Sequence, residues 1–156
     1  MDTADLFSLA KPRAESPYKQ GKADQEQTIR ARIHMVLAGT QPTRQQLERR
    51  REKRHPYPYP VYLTPVGRDG LTPISQTVVV LGKHLSDHGF DFYHRDPLPH
   101  RRAIVSFEPS PGTWIGLLLD LSWCRFGRHG WYDNGGRFLA VVQSPLSDES
   151  LPSLLE

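Results

Sequence analysis

The feature that most constrains this chain is a series of short β-branched and aromatic runs that starts at Val61 and ends at Val142. They occupy residues 61–64, 75–81, 90–93, 102–107, 113–125 and 137–142, with Gly, Pro, Asp or His-Gly turns between them. Six short strands at this spacing predict a small barrel or sandwich. In the longest run, Ile115, Leu117, Leu119, Leu121 and Trp123 share one strand face. The other face carries Trp114, Gly116, Leu118, Asp120, Ser122 and Cys124 and is mostly small or polar. One buried and one wetter face is the signature of an antiparallel sheet. The 14 Pro and 12 Gly favour turns and short strands over long helices.

The rest of the chain surrounds this block. Residues 1–23 are rich in Lys, Ala, Ser, Asp and Gln, with Leu6, Phe7 and Leu9 as a small apolar cluster, and read as a flexible leader. Residues 24–39 predict a helix: Asp24 caps it, Gln27 completes a capping box, and Gly39 falls where a left-handed C-terminal residue belongs. Ile29, Ile33, Val36 and Leu37 recur on one face, which must dock on the main domain or on a partner. Thr43 and Gln46 offer a second capping box, but the following RQQLERRREKR has Leu47 as its only apolar residue and so no face to bury. Pro56 ends it, and residues 57–60 (YPYP) continue extended. The acidic tail SPLSDESLPSLLE carries Leu146, Leu151, Leu154 and Leu155, enough for a short helix lying on the barrel. The expected organisation is a leader (1–23), a helical extension and linker (24–49), a barrel domain (50–143) and a tail (144–156), with no internal repeat.

Composition narrows the functional classes. The length of 156 residues suits one domain plus tails. The net charge of +3 and pI of about 9.2 are mild, so the placement of charge matters more than its sum. No stretch approaches the roughly 18–20 uninterrupted apolar residues of a membrane span; the longest candidate, 115–119, is cut by Asp120. The start MDTADLFSLAKPR lacks a basic n-region followed by an apolar h-region, so the expected compartment is the cytoplasm. The single cysteine, Cys124, excludes an intrachain disulfide framework and a Cys-rich zinc site; it is placed among buried strand residues without a base to activate it. His88, Asp91 and His94 suggest a metal site, but strand alternation turns Asp91 away from both histidines, and His84 would meet His88 only on a helix. No metal and no cofactor are expected. With no nucleophile elbow and no phosphate-binding Gly loop, an enzyme is the least supported class. A basic, partly aromatic arm suits nonspecific nucleic-acid binding, but the aromatics scatter instead of lining one groove, so nucleic acid is not the expected partner.

Two features remain. Arg49, Arg50, Arg51, Lys53 and Arg54 crowd the stretch before the first strand, and about thirty residues later His84-Leu85-Ser86-Asp87-His88-Gly89-Phe90 forms a turn between strands. Arginine binds phosphate bidentately and stacks on flat rings, and a turn containing Ser and Gly lets a ligand approach the backbone. Such an arm facing such a turn would grip a flat, anionic ligand from two sides.

This pairing, with the strands around it, resembles the PilZ domain, the bacterial receptor family for cyclic di-GMP. The family's RxxxR motif is matched by Arg50-Arg51-Glu52-Lys53-Arg54, and HPYPYPVYLTPV looks like the lead-in to its first strand. In its [D/N]xSxxG motif, Ser86 and Gly89 fall in place, and SWCRFGRHGWYDNGGRFLAVV resembles its closing strands. The resemblance covers roughly 50–143. It implies a six-stranded antiparallel barrel that senses cyclic di-GMP without catalysis and passes the signal to an unidentified protein partner. It also implies that Arg50 and Arg54 contact phosphate and stack on guanine, with Arg51 as an auxiliary, and that Ser86 and Gly89 shape the base pocket. His84 departs from the motif's Asp or Asn. A carboxylate accepts from both N1–H and N2–H₂ of guanine, whereas a neutral imidazole offers one acceptor and a protonated one none. That loss costs about 1.5–3 kcal/mol, roughly ten- to a hundred-fold in affinity. Weakened binding, and a degenerate domain that serves only protein interaction, both follow. His84→Asp is expected to tighten binding, and ligand is expected to order residues 44–55 and reposition the helix upstream.

Overall fold

The computed structural model describes residues 21–40, 54–127 and 129–147. The leader before residue 21, the polar linker over 41–53 with Arg50 and Arg51, and the tail beyond 147 with its expected helix lie outside the described residues.

Among the described residues seven strands follow one helix: α1 (Lys22–Ala38), β1 (His55–Pro56), β2 (Pro60–Val66), β3 (Val78–Leu85), β4 (Gly89–His94), β5 (Arg102–Ser110), β6 (Thr113–Phe126) and β7 (Tyr132–Val142). The order β3-β2-β5-β6-β7-β4 is antiparallel throughout, and β4 pairs back onto β3 to close a six-stranded barrel. β1 is a short outside strand on β3. This is the expected architecture, and closure removes the exposed edges of an open sheet.

Alternation explains the core. Val61 and Leu63 of β2, Val80 of β3, Phe90 and Phe92 of β4, Val105 and Phe107 of β5, and Leu117 and Leu119 of β6 are buried in one cluster. The wetter face expected for β6 is a correction. Leu118 is fully buried there with Val66 and Ile104, and Leu139 and Val142 pack against them as a second small cluster. The register of β6 against β7 slips between Leu118 and Leu119 and again between Leu121 and Trp123, which breaks strict alternation. Cys124 is exposed, not among buried residues, because the strand runs on past the second slip with residues 124–126 in solvent. β7 also starts at Tyr132, not 137, since the Asn-Gly-Gly segment is paired on both sides instead of forming a turn.

Helix α1 docks on its own barrel. Ile29, Ile33, Val36 and Leu37 belong to the same core cluster as Phe107 and Leu117. It starts earlier than expected, with Gly21 as N-cap and Asp24 in the first turn. Gly39 is not left-handed (φ −65°). Its glycine serves close approach instead, because a Cβ there would lie 2.8 Å from the Pro109 carbonyl oxygen. Ile33 is fully buried, so Ile33→Ala is expected to cost about 2–4 kcal/mol through lost burial and an unfilled cavity, read from urea unfolding.

Tyr57, just after β1, is buried edge-on to Phe107 at 5.6 Å between ring centroids. Burial, with a smaller contribution from Tyr59, pushes its phenol up to about 12. The folded value lies above the unfolded one, so the neutral phenol contributes stability that is complete below about pH 10 and lost as pH rises toward 12. Urea midpoints at pH 9 and 11 are expected to fall less in Tyr57→Phe than in the wild type. Among the described residues no helix is long and apolar enough to cross a membrane.

Candidate nucleotide-binding cleft

Backbone pairing brings Arg54 to the turn. His55 and Pro56 of β1 pair with Leu85 and His84 of β3. The Tyr57 amide donates to the Lys83 carbonyl (2.9 Å), and the Gly82 amide donates to the Tyr59 carbonyl (2.9 Å). Only glycine allows this contact, since a Cβ at Gly82 would lie 2.3 Å from the Tyr57 carbonyl oxygen. The chain is thereby pinned along β3, and Arg54, the residue before β1, emerges beside Asp91.

A bulge aims His84. On β4, Phe92 faces Gly82 and Asp91 faces His84, which leaves Lys83 as an extra residue in β3. The bulge turns His84 to the outer face of the barrel while Leu85, next to it, enters the core. The register then continues His84–Asp91–Gly135–Trp123 across β3, β4, β7 and β6, and residues directly opposite one another share a face. Their row borders a cleft of about 230 Å³ lined by Arg54, His84, Ser86, Asp91, Trp123 and Arg137, with Gly89, Gly135 and Gly136 among its backbone walls. Arg54, His84, Ser86 and Gly89 are thus brought together, whereas Arg50 and Arg51 are among the residues not described.

Asp91 is the centre of the polar contacts. Its residue is 6% exposed. Arg54 Nη1 donates to its Oδ2 at 3.1 Å, and His84 Nδ1 lies 3.2 and 3.3 Å from its two oxygens. A carboxylate only accepts, so Nδ1 carries the proton and Nε2 is the acceptor of the neutral ring. The Arg54 side chain is 66% exposed, which leaves this ion pair worth about 1 kcal/mol or less. Directly across the ladder from Asp91, the second carboxylate of His84→Asp would meet like-charge repulsion, which weighs against the tighter binding expected of that variant.

Ser86 and Gly89 first of all build the hairpin. The Ser86 hydroxyl oxygen accepts from the amides of His88 (3.2 Å) and Gly89 (3.1 Å), and the Ser86 amide donates to the Gly89 carbonyl (3.0 Å). Gly89 is required by packing, since a Cβ there would lie 2.3 Å from the Gly136 carbonyl oxygen. Between them, Asp87 bonds to α1, with Arg30 Nε at 3.4 Å and His34 Nε2 at 3.5 Å. The turn therefore carries the cleft on one side and the helix on the other.

Sequence reasoning overlooked Asp91, Trp123 and Arg137 as cleft residues. Asp91 sits between Phe90 and Phe92, both in the core, and one acid between two core aromatics was the available signal. Trp123 lies flat over Gly135, where a Cβ would come within 2.3 Å of the indole ring, and the Arg125 guanidinium covers the ring at 4.8 Å from its centroid. Arg137 is exposed and has no ion-pair partner among the described residues. A His–Asp pair is also half of a hydrolytic triad, but among the described residues no hydroxyl or thiol bonds the His84 ring. No metal-ligand cluster occurs among the described residues.

No family model matches this chain, and no curated protein or solved structure matches it either.

Proposed function

We propose that this protein is a non-catalytic cyclic di-GMP receptor, an adaptor in bacterial second-messenger signalling that works in the cytoplasm. The observation that carries the reading is that Arg54 and the 84–89 turn, thirty residues apart in the chain, border one cleft. Arg54 and the uncommitted Arg137 suit a phosphate, because a guanidinium grips phosphate through a planar fork of donors. Trp123 offers a flat wall for a base that displaces the Arg125 guanidinium now covering the ring, and stacking on an aromatic ring contributes about 1–3 kcal/mol per base. At about 230 Å³ the cleft is smaller than the roughly 300–1,000 Å³ of a typical ligand pocket, so it seats one base and its phosphate rather than a whole dinucleotide. The resemblance of 50–143 to the PilZ domain supports the same ligand. The ion pair of Asp87 with Arg30 and its contact with His34 supply a route from the turn to α1, and through it to a protein partner.

The second reading is a degenerate domain that has lost the nucleotide and serves protein interaction. It is favoured by the commitment of Arg54 to Asp91 and of the Ser86 hydroxyl to the turn. Isothermal titration of the full chain with cyclic di-GMP separates the two. Saturable binding that weakens only modestly with salt supports the receptor; no binding at millimolar nucleotide leaves the interaction module.

A further inference from the structure

We propose that Asp91 is the base-reading residue of the cleft and that it exchanges Arg54 for the ligand. In this exchange a phosphate takes the guanidinium, and the freed carboxylate accepts the two adjacent N–H donors of a guanine edge. The inference rests on the nucleotide-receptor reading and deepens it by assigning specificity to a residue outside both sequence motifs.

The chemistry follows from what surrounds Asp91. Two carboxylate oxygens offer about four acceptor positions, and the described side chains supply them with Arg54 and His84. The residue across the ladder on β7 is Gly135, so no side chain covers the carboxylate from that strand. Beyond Gly135 the Trp123 ring lies flat on the backbone with the exposed Arg125 guanidinium over its other face, and a planar base that takes the place of that guanidinium presents its edge toward β4. Guanine places N1–H and N2–H₂ side by side, matching two carboxylate oxygens. Adenine offers one amino group beside the N1 lone pair, which faces a carboxylate oxygen unfavourably.

The exchange is feasible because its two charged groups differ in exposure. Arg54 is mostly in solvent, so its pair with Asp91 is weakened by water and salt, and a phosphate offers it bidentate geometry. Asp91, by contrast, is buried and must keep donors. His84 retains its Nδ1–H bond throughout and holds the carboxylate in place. Ligand binding thus leaves each charged group with a hydrogen-bonding partner: Arg54 and Arg137 on phosphate, Asp91 on the donors of the base and of His84. The acid that the second motif places at position 84 is supplied from the directly opposed position on β4.

The test uses the full chain in isothermal titrations with cyclic di-GMP, its inosine analogue cyclic di-IMP, which lacks only the 2-amino groups, and cyclic di-AMP. The wild type is expected to bind cyclic di-GMP about ten- to a hundred-fold more tightly than cyclic di-IMP, since one hydrogen bond to a charged group is lost, and cyclic di-AMP more weakly still. Asp91→Asn is expected to weaken cyclic di-GMP by a similar factor and to close the gap to cyclic di-IMP. Equal wild-type affinities for the guanine and inosine ligands overturn the proposal without any variant, which keeps it decidable should Asp91→Asn fail to fold. A folded Asp91→Asn with unchanged affinity and selectivity overturns it while the receptor reading stands. A wild type that binds none of the three overturns both.

Discussion

Arg54→Ala is expected to reduce cyclic di-GMP affinity by about 100-fold or more. A bidentate guanidinium–phosphate contact comprises two charge-assisted hydrogen bonds, each worth about 1.5–3 kcal/mol, and their combined loss of roughly 3 kcal/mol or more corresponds to that factor. The substitution also strips one of the two side-chain partners that the buried Asp91 carboxylate has among the described residues. Because the Arg54 side chain is 66% exposed, the accompanying loss of stability is about 1 kcal/mol or less. Titration and thermal unfolding therefore separate the two roles. Arg54→Lys keeps the charge but loses the planar fork, and is expected to fall between the wild type and the alanine variant. Unchanged affinity in Arg54→Ala would remove the cleft from consideration as a phosphate site.

Gly89→Ala is expected to act on the fold and not through the ligand. An added Cβ would lie 2.3 Å from the carbonyl oxygen of Gly136 and 3.3 Å from its carbonyl carbon. Both atoms are backbone, within the β4–β7 ladder that pairs Phe90 with Gly136, so no side-chain rotation relieves the collision. Overpacking of this kind costs about 1–3 kcal/mol and more where the backbone must move, and about 3 kcal/mol is expected here. At roughly 2–4 °C per kcal/mol for a chain of this size, the melting temperature falls by about 6–12 °C. A melting temperature within a degree of the wild type would mean that the strands do not approach this closely. The second motif's glycine is then explained by strand packing, which holds with or without a nucleotide.

The barrel was legible because its signal is local. Turn residues punctuate short β-branched runs, and the alternation of Val61 with Leu63 and of Phe90 with Phe92 puts core residues on one face whatever the neighbours are. The docking face of α1 was equally plain from Ile29, Ile33, Val36 and Leu37, although its acceptor was not. The cleft was half legible. Arg54, His84, Ser86 and Gly89 were found as paired motifs, but what assembles them is register, and register depends on bulges that no local pattern announces. The extra residue at Lys83 sets His84 opposite Asp91, and the slip between Leu121 and Trp123 sets the indole opposite Gly135. Without those two irregularities in hand, Asp91 read as a failed metal ligand, Trp123 as core and Gly135 as turn. The same gap hid the like charge that His84→Asp would face, since Asp91 arrives from another strand.

The most direct test of the central claim is a chemical-shift map of the full chain during titration with cyclic di-GMP. The account predicts that the Trp123 indole N–H and the amides of residues 84–91 and 135–137 move together and saturate. The Trp114 indole and the amides around the Val66–Ile104–Leu118 cluster should stay in place. Saturable shifts confined to any other part of the barrel, or no shifts at millimolar nucleotide, would contradict it.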